Sequence, residues 1–395
     1  MRIKVGVVFG GETVEHEVSI ISAVQAMKHI NQDKYEIIPI YIAKDQTWYE
    51  GAMLKEIEVY RDFDLLKRYA KKVVLVKKDN RFVLQRVNGI FRKEITDIDV
   101  ILPIVHGHGA EDGSLQGYFE TLKIPYVGSN VLGSALGQDK VVMKQVMEAE
   151  KIPCVPYIWF FDTEYQVDHE VITKRVKKLG YPVVVKPATL GSSVGISFVK
   201  AEEELDEAIN EAITYDSKII IEKAVQNLVE VNASVIGNYE FQEVSILEEV
   251  MGVDEFLSYR DKYLGGGKTK GASKGMASTN RIMPARIDEE TTKKVQDYAK
   301  QVFKALNLSG VCRIDFLIDK KSNEIYVNEP NTIPGSLSFY LWEKNNKPYE
   351  ELLDQIISLG LRRYKQESKK VRSFESNILS NYGGTKGVKG AKGVK

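Results

Sequence analysis

Residues 311–337, VCRIDFLIDKKSNEIYVNEPNTIPGSL, constrain the fold of this 395-residue chain more than any other stretch. CRIDFLID and NEIYVNE are rich in strand formers, and Lys320, Lys321, Ser322 and Asn323 form a polar turn between them, so a hairpin is predicted. Side chains alternate across a strand. Arg313 and Asp315 therefore share one face, as do Glu329 and Asn331. If the register sets Asp315 opposite Glu329, all four groups meet on one surface. That register needs an odd loop or a bulge. Ile314, Phe316, Ile318 and Tyr326 are expected to face the core. Two carboxylates and an amide oxygen are hard ligands of the kind Mg²⁺ takes, and an arginine beside them suits a phosphate. Charged strand faces are usually just solvated. Here the carboxylates interrupt strands that otherwise read as buried, which favours the metal reading.

The chain is long enough for two or three domains. Apolar residues make up 43%, enough for sizeable cores, and the 55 basic residues balance 55 acidic ones. No global field recruits nucleic acid or an anionic membrane. Cys154 and Cys312 make no disulfide framework or zinc site, although sequence leaves a bridge between them open. No apolar run reaches transmembrane length, and MRIKVGVVFGGE reads as a first strand, so a cytoplasmic protein is expected.

Residues 3–9 form a continuous apolar run, as in a buried parallel strand. A glycine pair, an amphipathic segment and a second strand at 35–42 follow, which is a βαβ opening and predicts an α/β fold with an open parallel N-terminal sheet. A buried strand at 99–105 runs into HGHGAEDG (106–113), a glycine-rich loop at a strand's carboxyl end, where such sheets bind ligands. A helix is predicted over 134–150, with a domain boundary just before it. The expected division is 1–132, 133–226 and 227–365, with a basic Gly/Lys-rich tail, 366–395, expected to be disordered. Residues 258–280 lack periodicity and read as a mobile loop.

TLGSSVG (189–195) follows a strand ending in Lys186-Pro187. Its small residues suit an anion-binding loop with Lys186 as a point charge, and they equally suit a plain turn between strands. Glu222-Lys223 ends an apolar strand, where a hinge for adenine or an ordinary strand end are both open.

The order of these features carries more than any one of them. Lys140, Lys186 with its glycine loop, Glu222-Lys223, Arg313-Ile-Asp315 and Glu329-Pro-Asn331 together resemble the ATP-grasp superfamily. With GGETVEHEVS (10–19), HGHGAEDGSLQG (106–117), LGSSVG, DKY (261–263) and NEPNTIPG (328–335), the chain resembles the D-alanine–D-alanine ligase family from residue 1 to about 363. The resemblance implies three α/β domains, with ATP between the central and C-terminal sheets. It implies ligation of two D-alanines for peptidoglycan synthesis, with a homodimer and small-molecule partners only. By resemblance, Glu15 holds the first D-alanine's ammonium and His106 lies beside it. Lys140 and Lys186 bind phosphates under a lid carrying Ser192 and Ser193. Glu222, Lys223 and Val225 form the adenine hinge, and Glu230 binds ribose. Lys262 and Tyr263 sit in a second lid, with Tyr263 linked to Ser192 and Glu15. Asp315, Glu329 and Asn331 bind two Mg²⁺ (or Mn²⁺), while Arg313 and the Gly335 N–H stabilise the transition states. The family usually continues after NTxPG with a Thr/Ser-rich run, and here it is Ser336-Leu-Ser-Phe-Tyr340. That run is where the second substrate's carboxylate is expected, so a D-serine-accepting relative stays open.

Overall fold

The computed structural model describes residues 2–87, 93–191, 194–251 and 281–373. The apolar opening run folds as β1 (Ile3–Gly10), and the helix His16–His29 carries the chain to β2 (Tyr35–Ile42). β3 (Trp48–Glu50), β4 (Lys71–Lys78), β5 (Arg81–Arg86), β6 (Glu94–Asp97) and β7 (Val100–Ile104) complete a seven-stranded sheet ordered β6-β5-β4-β3-β2-β1-β7. β1 pairs in parallel with β2 and β7, but β2 through β6 pair antiparallel. The sheet is therefore mixed, not parallel as expected. The links from β2 to β3 and from β4 to β5 are tight turns, too short for the crossover that parallel pairing needs. Asp79, with φ of +55°, turns the β4–β5 hairpin. Val73 and Leu75 are buried while Val74 is exposed, the alternation of a sheet packed on one face.

The single helix expected over 134–150 is two, Val131–Gln138 and Lys140–Ala149. Asp139 leaves helical geometry between them, and its carboxylate accepts the N–H groups of Val141 and Val142 as an N-cap. Lys140 thus starts a helix.

A four-stranded antiparallel sheet follows, β8 (Tyr157–Phe161), β9 (Val183–Pro187), β10 (Ser197–Val199) and β11 (Lys218–Lys223), ordered β10-β9-β11-β8. The third sheet holds β12 (Leu228–Gly237), β13 (Gln242–Val250), β14 (Arg281–Ile282), β15 (Gly310–Asp319) and β16 (Glu324–Asn331), in the order β14-β13-β12-β15-β16.

The second sheet has its own core with the helices His169–Leu179 and Leu205–Ile213. The first sheet shares its core with the helix Tyr349–Glu367 and with Val311 and Trp342 of the third unit. Gly310, at φ +81°, meets Gly128 so closely that a Cβ would lie 2.8 Å from the Gly128 Cα. Arg363 donates to the Tyr126 and Gly128 carbonyls across the same junction. The helix Lys140–Ala149 joins the other two sheets: Met143 and Met147 enter the core of the third sheet, and Val141 packs on Ala188 and Ile220 of the second. Cys154 and Cys312 are both free.

Candidate active site

In the hairpin, Asp315 lies opposite Glu329 and Arg313 opposite Asn331. Beyond Asp315 the register shifts, so that Phe316 faces Val327 and Asn328 is the extra residue. This bulge reconciles the four-residue turn with the odd offset that the polar pairing requires. Ile314, Phe316 and Ile318 are buried in the core as expected. Tyr326 is not among them: it pairs with Leu317 on the opposite face, and Ile325 and Val327 take the core positions. With Asn328 as the extra residue, alternation puts odd rather than even numbers of this part of β16 inward.

The Arg313 guanidinium grips Asp315 with both tines, Nε to Oδ1 and Nη2 to Oδ2, each at 2.7 Å. Burial opposes the charge on Arg313, and Asp315 outweighs it, so the guanidinium pKa rises well above its usual value. Asn331 Nδ2 donates to Asp315 Oδ2 at 3.2 Å. Glu329 Oε2 lies 3.2 Å from Lys140 Nζ, which also donates to the Leu190 carbonyl at 2.8 Å. Lys186 Nζ donates to Glu222 Oε2 at 2.6 Å and reaches Asn328 Oδ1 at 3.4 Å. The second and third sheets therefore face each other across a cleft of alternating charge. Burial opposes the charge on Glu222, but Lys144 and Lys186 outweigh it and hold its carboxyl at about 2. Lys223 does not point into this cluster; its ammonium caps the carbonyls of Gly180 and Tyr181. Val225 is half-buried just after β11. Glu230 stands on β12 opposite Leu317, two residues along the face from Asn232, which is opposite Asp315.

The other half of the site is built on the first sheet. Glu15 sits buried at the N-terminal end of the helix His16–His29. Gly107, at φ +79°, packs against it, since a Cβ there would lie 2.5 Å from Thr13 Oγ1 and 3.4 Å from Glu15 Oε2. His106 is buried, with Nδ1 2.6 Å from the Ile333 carbonyl and Nε2 2.9 Å from Ser22 Oγ. A carbonyl only accepts, so Nδ1 carries the proton; burial lowers the pKa and keeps the ring neutral. Nε2 then accepts from Ser22, whose oxygen accepts the Ser336 N–H at 2.9 Å. Ser336 Oγ in turn donates to Gln25 at 2.7 Å. This chain fastens the segment after β16 to the first sheet's helix. Gly335 opens that segment, and Ser336, Leu337 and Ser338 follow with φ of +51°, +52° and +52°. Left-handed geometry at non-glycine residues costs roughly 1–2 kcal/mol each. Strain is thus stored in the run Ser336-Leu337-Ser338. Tyr340 is half-buried beyond it, its hydroxyl 2.9 Å from Glu248 Oε1 and its ring under Arg281 at 4.4 Å. Ser192, Ser193, Lys262 and Tyr263 lie outside the described residues.

Asp315, Glu329 and Asn331 fit a hard divalent cation by their donor chemistry, two carboxylates and an amide oxygen.

The family model for the D-ala D-ala ligase N-terminus matches residues 4–129, and that for the D-ala D-ala ligase C-terminus matches residues 146–358. The D-alanine–D-alanine ligase of Thermosipho melanesiensis is 39% identical over 378 residues, covering 95% of this chain and 98% of that one. The chain belongs to the D-alanine–D-alanine ligase family. Among solved structures, the Coxiella burnetii D-alanine–D-alanine ligase superposes with a TM-score of 0.79 at 28% identity, covering 93% of this chain and 96% of that one. The D-Ala:D-Ser ligase VanG of Enterococcus faecalis superposes at 0.77 and 32% identity, covering 91% and 100%.

For this ligase-family site, sequence reasoning missed several buried groups. Glu248 accepts from both Tyr340 and Asn232 and pairs with Arg281 at 3.3 Å. The signal was available in Glu230, Asn232 and Ser234, polar at every second position of an otherwise buried strand. Glu111 stood inside a quoted motif without a role. Its carboxylate accepts the N–H of Gly107 at 2.9 Å and of Ile333 at 3.2 Å, joining both halves of the site. Burial, then the charge of Glu15, pushes its carboxyl up to about 8. A carboxyl raised on folding stabilises fully below its unfolded pKa, and that stability is lost as pH rises through the folded value. Between pH 5 and pH 8 the wild type should therefore lose up to about 1.4 kcal/mol per pH unit relative to Glu111→Gln. Urea unfolding of both proteins at the two pH values measures this. Parallel pH dependences would exclude it.

Proposed function

We propose that this chain joins two D-alanines at the expense of ATP, with the phosphates held by Lys140 and Lys186 and divalent cations held by Asp315, Glu329 and Asn331. The observation that carries the reading is the Arg313–Asp315–Glu329–Asn331 patch facing Lys140 and Lys186 across the cleft. Glu222, Lys223 and Val225 line the adenine end, and Glu230 takes the ribose. The proposed domains are 1–132, 133–226 and 227–365.

A carboxylate is a poor acylating agent. The first D-alanine's carboxylate oxygen attacks the γ-phosphorus, the bond to ADP breaks, and an acyl phosphate results. Bound Mg²⁺ or Mn²⁺ neutralises charge on the transferring phosphoryl group. Lys140 and Lys186 add fixed positive charge, and little covalent work is left to the protein. Glu15 holds the first substrate's ammonium, beside His106. The second D-alanine's amine then attacks the acyl carbon, inorganic phosphate leaves, and the amine loses its proton. Arg313 and the Gly335 N–H donate to the oxyanion of that step. Ser336 and Tyr340 border the second substrate, and Ser192, Ser193, Lys262 and Tyr263 belong to the proposed lids. A cytoplasmic homodimer is the assembly and location proposed.

Phosphate release from MgATP should require D-alanine, cease on chelation, and fail with L-alanine. Run with D-alanine, D-serine and D-lactate as second substrates, the same assay identifies the product. Release that is unchanged without D-alanine would falsify the reading.

A further inference from the structure

Lys144 is wholly buried. It lies one helical turn after Lys140, on the face of the helix Lys140–Ala149 that looks toward the second sheet. Its Nζ is 3.0 Å from Glu222 Oε1, while the other oxygen of the same carboxylate accepts from Lys186 at 2.6 Å. One buried carboxylate thus serves two buried lysines. They differ in what else they reach: Lys186 also touches Asn328 beside the proposed metal patch, whereas Lys144 has no exposure and, besides meeting Glu222, lies over the Tyr157 ring with its Nζ 5.7 Å from the centroid. Lys144 cannot meet a ligand in the cleft.

We propose that Lys144 is a positioning residue for the nucleotide site, holding Glu222 by one oxygen so that Lys186 can turn from the other to an anionic phosphate. The proposal rests on the reading of Lys186 as a phosphate ligand. When Lys186 turns, Glu222 is left in a dry site. A buried charge without a partner is strongly disfavoured, and a buried charge that keeps one is tolerated. Lys144 is the partner that stays. Without it, every phosphate that binds must strip Glu222 of its last counterion, and that cost falls on ATP binding rather than on the acyl-transfer step.

The test is a set of variants in the full chain, with KM for MgATP, KM for D-alanine, kcat and thermal melting measured for each. Lys144→Met should raise KM for MgATP at least tenfold while KM for D-alanine and kcat change less than threefold. Lys144→Arg, which keeps the charge, should restore most of the ATP affinity. The double variant Lys144→Met/Glu222→Gln should also regain ATP affinity over the single variant, because no carboxylate then competes for Lys186. A purely structural role predicts the reverse, with both KM values and the melting temperature worsening together and no rescue by Glu222→Gln; that result, or an unchanged KM for MgATP in Lys144→Met, overturns the proposal. Lys186→Met tests the underlying reading separately. If it leaves ATP affinity intact, Lys186 is not a phosphate ligand and that reading fails on its own.

Discussion

Glu329→Gln should lower turnover by on the order of a hundred- to a thousandfold and move the melting temperature by less than about 4 °C. The loss follows from charge. Glutamine keeps the shape and one acceptor oxygen but removes a full negative charge from the proposed cation site. A Lewis-acid cation supplies several kcal/mol of transition-state stabilisation, and each 1.36 kcal/mol is tenfold in rate. The small stability effect also follows from the structure. The Glu329 side chain is 27% exposed and pairs with Lys140 at 3.2 Å. Partly exposed pairs contribute about 1 kcal/mol or less, and Lys140 retains its bond to the Leu190 carbonyl. Steady-state phosphate release beside a calorimetric melt measures both quantities. Wild-type turnover in this variant would remove Glu329 from the metal set.

Arg313→Met is expected to fail in two ways at once, and the two can be separated. Removing a preset donor to a developing oxyanion costs on the order of 10²–10³ in kcat. The same change strips Asp315, itself only 5% exposed, of its two-pronged partner. Leaving a buried charge uncompensated costs about 3–5 kcal/mol. Denaturant titration should therefore show a large destabilisation beside the kinetic loss. Adding Asp315→Asn should recover much of the stability and none of the activity, because it removes the stranded carboxylate without restoring a donor. If the double variant regained turnover, the guanidinium would be acting through the fold alone.

Much of the site was legible because it is local in the chain. The Arg313/Asp315 and Glu329/Asn331 pairs are two apart on strands, and a strand of any fold presents such pairs on one face. The bulge at Asn328 was legible as a requirement, since a four-residue turn cannot by itself set Asp315 opposite Glu329. The N-terminal sheet was misread for the opposite reason. The first βαβ unit is parallel, but one parallel unit says nothing about the strands added at the far edge, and the turns after β2 and β4 reverse the chain. Tyr326 was misread because a single extra residue inverts which side chains of a strand face inward.

By itself, the sequence determined the reaction class, through motifs whose residue types and order suit a nucleotide, hard cations and an anion-binding loop. It also determined which strands and helices carry them, through periodicity and turn chemistry. Which charges neutralise which was decided only in three dimensions. Lys140 meets Glu329 across 189 positions of chain, and Ser22 joins His106 to Ser336. Sequence reasoning gave Lys144 no role. It is buried because that helix lies between two sheets, with methionines toward one core and ammonium groups toward the acids of the cleft. Periodicity reports that a helix has two faces; only packing determines what each face meets, and so which of its lysines is solvated and which is a buried counterion.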